Sequence, residues 1–92
     1  MKLEDWNETN DRLNKCLDNI EQLPRHCRRD CRRMSKTVID LLRVADSERV
    51  ISRRRSAVTP RFEEYMTRAQ EALTNLEGHV IFARLMKVDN ED

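Results

Sequence analysis

Glycine is almost missing from this chain of 92 residues, with Gly78 the single instance, and there are only two prolines, Pro24 and Pro60. So few breakers argue against a sheet domain, which needs turn residues at every reversal of the chain. Aromatics are scarce too, limited to Trp6, Phe62, Tyr65 and Phe82. A core must therefore be filled by Leu, Ile, Val, Met and Ala, the usual residues of helix seams. No apolar run approaches the ~20 residues of a membrane span, and the acidic, polar start lacks the hydrophobic region of a signal peptide. These absences lead us to expect a soluble intracellular protein, cytoplasmic or nuclear. The three cysteines are an odd number, so a complete intramolecular disulfide framework is excluded and reduced thiols are expected.

Charge is what the chain has in quantity: charged residues make up 38% of it and apolar residues another 38%. That balance suits long amphipathic helices. The length allows one domain with a thin core, burying roughly 60–65% of the surface that the unfolded chain exposes.

Apolar spacing supplies the positive signal. From Trp6 a repeat of alternating four and three runs through Asn10, Leu13, Leu17, Ile20, Pro24, Cys27, Cys31, Met34, Val38, Leu41 and Ala45, which is the 3.5-residue period of a coiled coil. Pro24 has no N–H to donate and its ring crowds the preceding turn, so it kinks or breaks the helix. The repeat loses phase at Val50 and Ile51. In "SAVTPRFEE", Thr59 is suited to cap a helix, Pro60 to occupy its first position, and Glu63 and Glu64 to meet the positive end of its dipole. A second repeat then reads Phe62, Met66, Ala69, Leu73, Leu76, Val80, Ala83.

The expected fold is all-α: an elongated helical hairpin or bent coiled coil, with a compact three-helix bundle as the alternative if the N-terminal segment folds back at Pro24. Its elements are a helix over about 3–23, a kink or break at Pro24, a helix over about 25–51, a joint over about 52–59 and a helix over about 60–88. All belong to a single domain, 1–92. Two helices of ~30 residues, each ~45 Å long, would close on one another and leave the N-terminal segment uncovered. The seams are thus expected to meet a helical partner, in a homo- or hetero-oligomer, through Trp6, Asn10, Leu13, Leu17, Ile20, Met34, Val38 and Leu41 on one arm. Phe62, Met66, Leu73, Leu76 and Val80 would do so on the other. A polar Asn10 on the seam would fix register, and Trp6 would be the anchor.

The stretch "LPRHCRRDCRRM" is the chain's most unusual, and it reflects a charge asymmetry that the net charge of +1 hides. Residues 1–22 carry three basic and six acidic side chains, residues 23–61 twelve and four, and residues 62–92 three and seven, giving −3, +8 and −4. On a helix Arg25, Arg28, Arg29, Arg32, Arg33 and Lys36 share one face, opposite Cys27, Cys31, Met34 and Val38. With Arg53, Arg54 and Arg55 they form the basic face on which a second reading rests: binding of nucleic acid or another anionic surface, with salt-dependent affinity. The segment does not read as a basic zipper, because no Asn occupies a base-reading position and the heptad continuation is not a zipper.

Cys27 and Cys31 are four residues apart beside His26, but four converging ligands are not available, so no metal and no cofactor is expected. Flanking arginines would lower a thiol pKa if these cysteines were exposed. One glycine provides no phosphate-cradling loop, and His26 and His79 lie in different helices without a nucleophile signature, so an enzyme is not expected. "RRMS" ending at Ser35 and "RRRS" ending at Ser56 resemble sites of basophilic kinases, and Thr59-Pro60 resembles a proline-directed site. A phosphate at the joint would add negative charge beside Arg53, Arg54 and Arg55.

Overall fold

The computed structural model describes residues 1–89, and among them it contains three helices and no strand: α1 (Asp5–Glu21), α2 (Arg25–Arg55) and α3 (Pro60–Asp89). The molecule is a rod of 53 × 17 × 16 Å. Helices α2 and α3 form a long antiparallel hairpin with the most extensive contact in the chain. At the turn end Glu48 pairs with Arg61, and at the far end His26 and Cys27 line the same groove as His79 and Phe82. At Leu23 and Pro24 the chain doubles back, so that α1 runs antiparallel to α2, with Trp6 bonded to Leu42 and Glu21 to Arg32. Its direction matches that of α3, with Thr9 beside Gln70 and Arg12 beside Glu77. The helical hairpin is therefore present, and the N-terminal helix folds onto it to make a three-helix bundle.

Local chemistry accounts for the boundaries. Pro24, with ψ 149°, is extended, and α2 begins immediately after it, as a residue that fixes φ at a helix start should allow. At its other end α2 runs through Arg55, further than the periodicity suggests. Arg53, Arg54 and Arg55 are good helix formers and place positive charge at the negative end of the dipole. The helix stops at Ser56, which takes the left-handed conformation at φ 55°. Ser56 N–H bonds to the Arg53 carbonyl and Ala57 N–H to that of Ser52, the two bonds of a Schellman motif. Thr59 then caps α3, its Oγ1 accepting from Phe62 N–H at 3.2 Å. Ser52 ties the two helices together, since its Oγ accepts the Thr59 N–H at 3.1 Å.

Helix α3 buries Phe62, Met66, Ala69, Leu73, Leu76, Val80 and Ala83, the repeat read from the sequence. In α1 and α2 the buried register is shifted by one flank. Helix α1 turns Thr9, Leu13, Cys16 and Ile20 inward, followed by Leu23, while Trp6, Asn10 and Leu17 lie at its edge. Helix α2 buries Cys31, Ser35, Val38, Leu42, Ala45 and Ser52, while Met34 and Leu41 stay half-buried. Each of these helices touches two neighbours and has a wider inward face than a two-stranded seam requires.

Hydroxyls occupy several of the core positions without penalty because the helix backbone satisfies them. Thr9 Oγ1 donates to the Asp5 carbonyl at 2.9 Å and Ser35 Oγ to the Arg32 carbonyl at 2.7 Å. Past Ala45 the inward stripe continues through Arg49 and Ser52, which leaves Val50 and Ile51 exposed. That explains the loss of apolar phase at this point of the sequence.

Candidate functional site

The seam residues expected to meet a partner are largely used inside the chain. Leu13, Ile20, Val38, Phe62, Met66, Leu73, Leu76 and Val80 are all buried, and Trp6, Leu17, Met34 and Leu41 pack against them from the edge. The expectation of an uncovered N-terminal segment is corrected on this point: the reversal at Pro24 carries the α1 seam onto the chain's own hairpin. Trp6 shows how completely. Its Nε1–H donates to the Leu42 carbonyl at 2.9 Å, and the Arg49 guanidinium stacks 4.4 Å from the ring centroid. Asn10 is partly buried at the flank of α1.

An apolar surface does remain, in a place the seams do not mark. Along the outer side of the last turns of α3, Ile81, Phe82, Leu85 and Met86 are exposed by 60%, 63%, 65% and 40%. Positions i, i+1, i+4 and i+5 fall on one side of a helix, so they form one continuous exposed apolar strip. Val80 and Ala83, between them in sequence, point into the core. The segment "VIFARLM" is thus apolar on both faces, the signature of a helix covered on both sides. This was the sequence signal to follow, and the single inward repeat concealed it.

The strip borders a groove on each side. Toward α2, His26, Cys27 and Cys31 face His79, Phe82 and Met86 across a cleft of about 290 Å³. Toward α1, Val80, Ile81 and Arg84 meet Arg12, Cys16 and Glu77. There Arg12 donates through Nε and Nη2 to both Glu77 carboxylate oxygens, and this bonding raises the arginine pKa. The α1 groove carries this charged pair, while the α2 groove is lined mostly by apolar side chains.

The basic face of α2 lies toward α1, with Arg32 bonded to Glu21. Arg25, Arg29, Arg32, Arg33 and Lys36 are exposed and Arg28 is half-buried. Arg25, Arg28, Arg29 and Arg32 border a shallow depression with His26. Among the described residues only Arg32 of these six cations joins a carboxylate, donating to both oxygens of Glu21 at 2.9 and 3.0 Å. This bond, with a smaller contribution from Arg28, holds the Glu21 carboxyl below its usual range. The remaining arginines of the basic face, Arg53, Arg54 and Arg55, are exposed at the opposite end of the rod, so the nine cations form two separate patches.

The other singled-out residues are scattered. Cys16 and Cys31 are buried, and burial pushes the Cys16 thiol up to about 11 and raises that of Cys31. The lowering that flanking arginines would exert on an exposed thiol does not arise at Cys31, because that side chain is buried in the core. No group of three or more His, Cys, Asp or Glu side chains among the described residues is arranged to hold a metal ion. Ser35 and Thr59 are buried in hydrogen bonds, whereas Ser56 is exposed beside Arg53, Arg54 and Arg55. No helix among the described residues is long and apolar enough to cross a membrane. No protein family, no curated protein and no solved structure matches this chain.

Proposed function

We propose that this chain is a non-enzymatic helical interaction subunit that assembles with protein partners through the outer side of the α3 C-terminal turns. The observation that carries this reading is the continuous exposure of Ile81, Phe82, Leu85 and Met86 on a chain whose other seams are already filled. Burial of apolar area is the main driving force of association. Four large side chains on one helical face offer the kind of clustered anchor from which interfaces draw most of their energy.

The test is co-isolation of the tagged full-length chain with its bound proteins, compared across two double variants that both keep native helicity. Ile81→Asp with Leu85→Asp is expected to release the bound proteins. Arg28→Ala with Arg32→Ala is expected to retain them. The reading fails if the aspartates leave the complex intact, or if the arginine pair releases it together with bound nucleic acid.

The reading of nucleic-acid or anionic-surface binding draws on one specific observation, the cluster of Arg25, Arg28, Arg29 and Arg32 with a single internal carboxylate partner. It predicts a steep loss of affinity with salt, which the apolar strip does not.

A further inference from the structure

The structure assigns Ser56, at the tip of the α2–α3 hairpin, as the phosphoacceptor of a kinase that reads arginine two and three residues before its serine. The site is independent of the α3 strip, which lies at the other end of the rod.

Two serines carry the same local sequence. Arg32 and Arg33 stand three and two residues before Ser35, and Arg53 and Arg54 stand at the same places before Ser56. The fold separates them. Ser35 is buried in the interior of α2 and donates its hydroxyl to the Arg32 carbonyl at 2.7 Å. Presenting its Oγ to an enzyme requires α2 to leave the core. Thr59, ahead of Pro60, is buried as well, and its hydroxyl caps α3. The exposed Thr37, Ser47, Thr67 and Thr74 all sit within helices, whose coiled backbone does not lie along an enzyme cleft. Among the described residues, Ser56 is the one exposed serine or threonine outside a helix.

A kinase takes its substrate segment unwound, so the window from Arg53 to Ala57 has to open. All five of its residues are exposed, and opening it takes no side chain out of the core. Beyond the helical ladder it is held by two backbone bonds, from Ser56 N–H to the Arg53 carbonyl and from Ala57 N–H to the Ser52 carbonyl. Ser56 sits at φ 55°, where a residue with a Cβ is disfavoured, and opening relieves that strain. Few buried contacts and a strained cap place this turn at the low-stability end of the molecule. Ser52 and Thr59, buried and bonded to one another at 3.1 Å, anchor the chain on either side.

In the transfer, the bond between Ser56 Oγ and the γ-phosphorus of ATP forms as the bond from that phosphorus to the bridging oxygen of ADP breaks. ADP leaves, and the hydroxyl proton passes to the catalytic base of the kinase. The product carries about −1.5 to −2 of charge. It lies next to Arg53, Arg54 and Arg55, none of which pairs with a carboxylate among the described residues. These guanidiniums can hold the phosphate in charge-assisted bonds, and the charge of the tip falls from that of three arginines to about +1. The basic stripe from Arg25 to Lys36, at the other end of the rod, is untouched. Of the two basic patches, one is switchable and the other constant.

The experiment incubates the full chain with ATP and the catalytic subunit of cyclic-AMP-dependent protein kinase, and locates phosphate by mass spectrometry of protease fragments. Two short peptides spanning residues 30–40 and 51–61 report how the enzyme reads each sequence without the fold. Both peptides are expected to be phosphorylated. The folded chain is expected to take up phosphate at Ser56, with Ser35 modified at least about tenfold more slowly. Ser56→Ala should abolish uptake, and Arg53→Ala with Arg54→Ala should slow it at least about tenfold. These positions are exposed, so circular dichroism of each variant should match the parent.

Equal rates at Ser35 and Ser56 in the folded chain would overturn the assignment, as would uptake that survives in Ser56→Ala. A chain that stays unmodified while the 51–61 peptide reacts would show that the tip does not open, and a 51–61 peptide that the kinase ignores would remove the recognition sequence; either result overturns the assignment. Release of bound proteins by Ile81→Asp with Leu85→Asp is read separately, so the interaction reading stands or falls on its own.

Discussion

Trp6 and Leu42 are joined by an indole N–H to carbonyl bond of 2.9 Å that closes a loop of 36 residues. It fixes the first turn of α1 halfway along α2 and turns the N-terminal helix from a free arm into part of the core. The carbonyl belongs to a helix interior and accepts this bond with its second lone pair. Arg49 covers the other face of the ring.

Removing the indole should therefore act on stability first. Trp6→Ala is expected to lower the unfolding free energy by about 2–3 kcal/mol, toward the lower end of large-to-small changes because the ring is only partly buried. Urea denaturation followed by circular dichroism measures this. A double-mutant cycle of Trp6→Ala with Arg49→Ala should give a coupling of about 0.5–1 kcal/mol from the stacked guanidinium. Unchanged stability would mean that α1 is not docked in solution.

The joint invites a change in the opposite direction. Ser56 is held at φ 55°, a conformation that disfavours a side chain with a Cβ. Ser56→Gly should raise stability by about 0.5–1 kcal/mol. Thr59→Ala, which removes the α3 cap and frees the Ser52 hydroxyl, should lower it by about 1–2 kcal/mol. Both changes are read from thermal unfolding.

Gly78 provides a control on the outer face of α3. A Cβ placed there meets nothing within 4 Å. Gly78→Ala should thus stabilise the helix by about 0.8–1 kcal/mol, measurable as a higher midpoint of unfolding. A loss of stability would indicate a contact at that position absent from this arrangement.

Alkaline pH should weaken the fold through Cys16. Its thiol titrates near 11 when folded, above the ordinary 9.0, because burial opposes the thiolate. The unfolded chain ionises first as pH rises, so the stabilisation is complete below about 9 and lost between 9 and 11. Cys16→Ala should lower stability at neutral pH yet flatten its decline over that range. Thiol labelling of the native chain should modify half-buried Cys27 ahead of Cys16 and Cys31.

How far the fold was legible follows from which helix one considers. Each helix packs against the other two, but α3 fills every inward position with an apolar residue, so its register could be read directly. In α1 and α2, Thr9, Ser35 and Ser52 take buried places that periodicity assigns to apolar residues. Their hydroxyls are satisfied by nearby backbone or by Thr59, a bond that composition does not reveal. At Pro24 the spacing stayed in phase although the chain reversed direction, since a repeat records which face is apolar and not which way the next helix runs.

The candidate site was legible only in part. The basic stripe from Arg25 to Lys36 is a property of helical spacing alone, and its cations are exposed apart from half-buried Arg28. The meeting of His26 and Cys27 with Phe82 and Met86 depends on the antiparallel return of α3, which brings residues more than fifty positions apart to one groove. Ile81, Phe82, Leu85 and Met86 were visible as an apolar run, but only the filling of the inward face by Val80 and Ala83 shows that they are left over.

The central claim is that the chain covers its own seams and folds alone, leaving the α3 strip as its assembly surface. The most direct measurement is molar mass by sedimentation together with far-ultraviolet circular dichroism across a dilution series. The account predicts helicity and a cooperative unfolding transition that do not change with concentration, down to samples that are wholly monomeric. Helix content that falls as the chain is diluted would contradict it, and would show that another copy, and not α1, completes those seams.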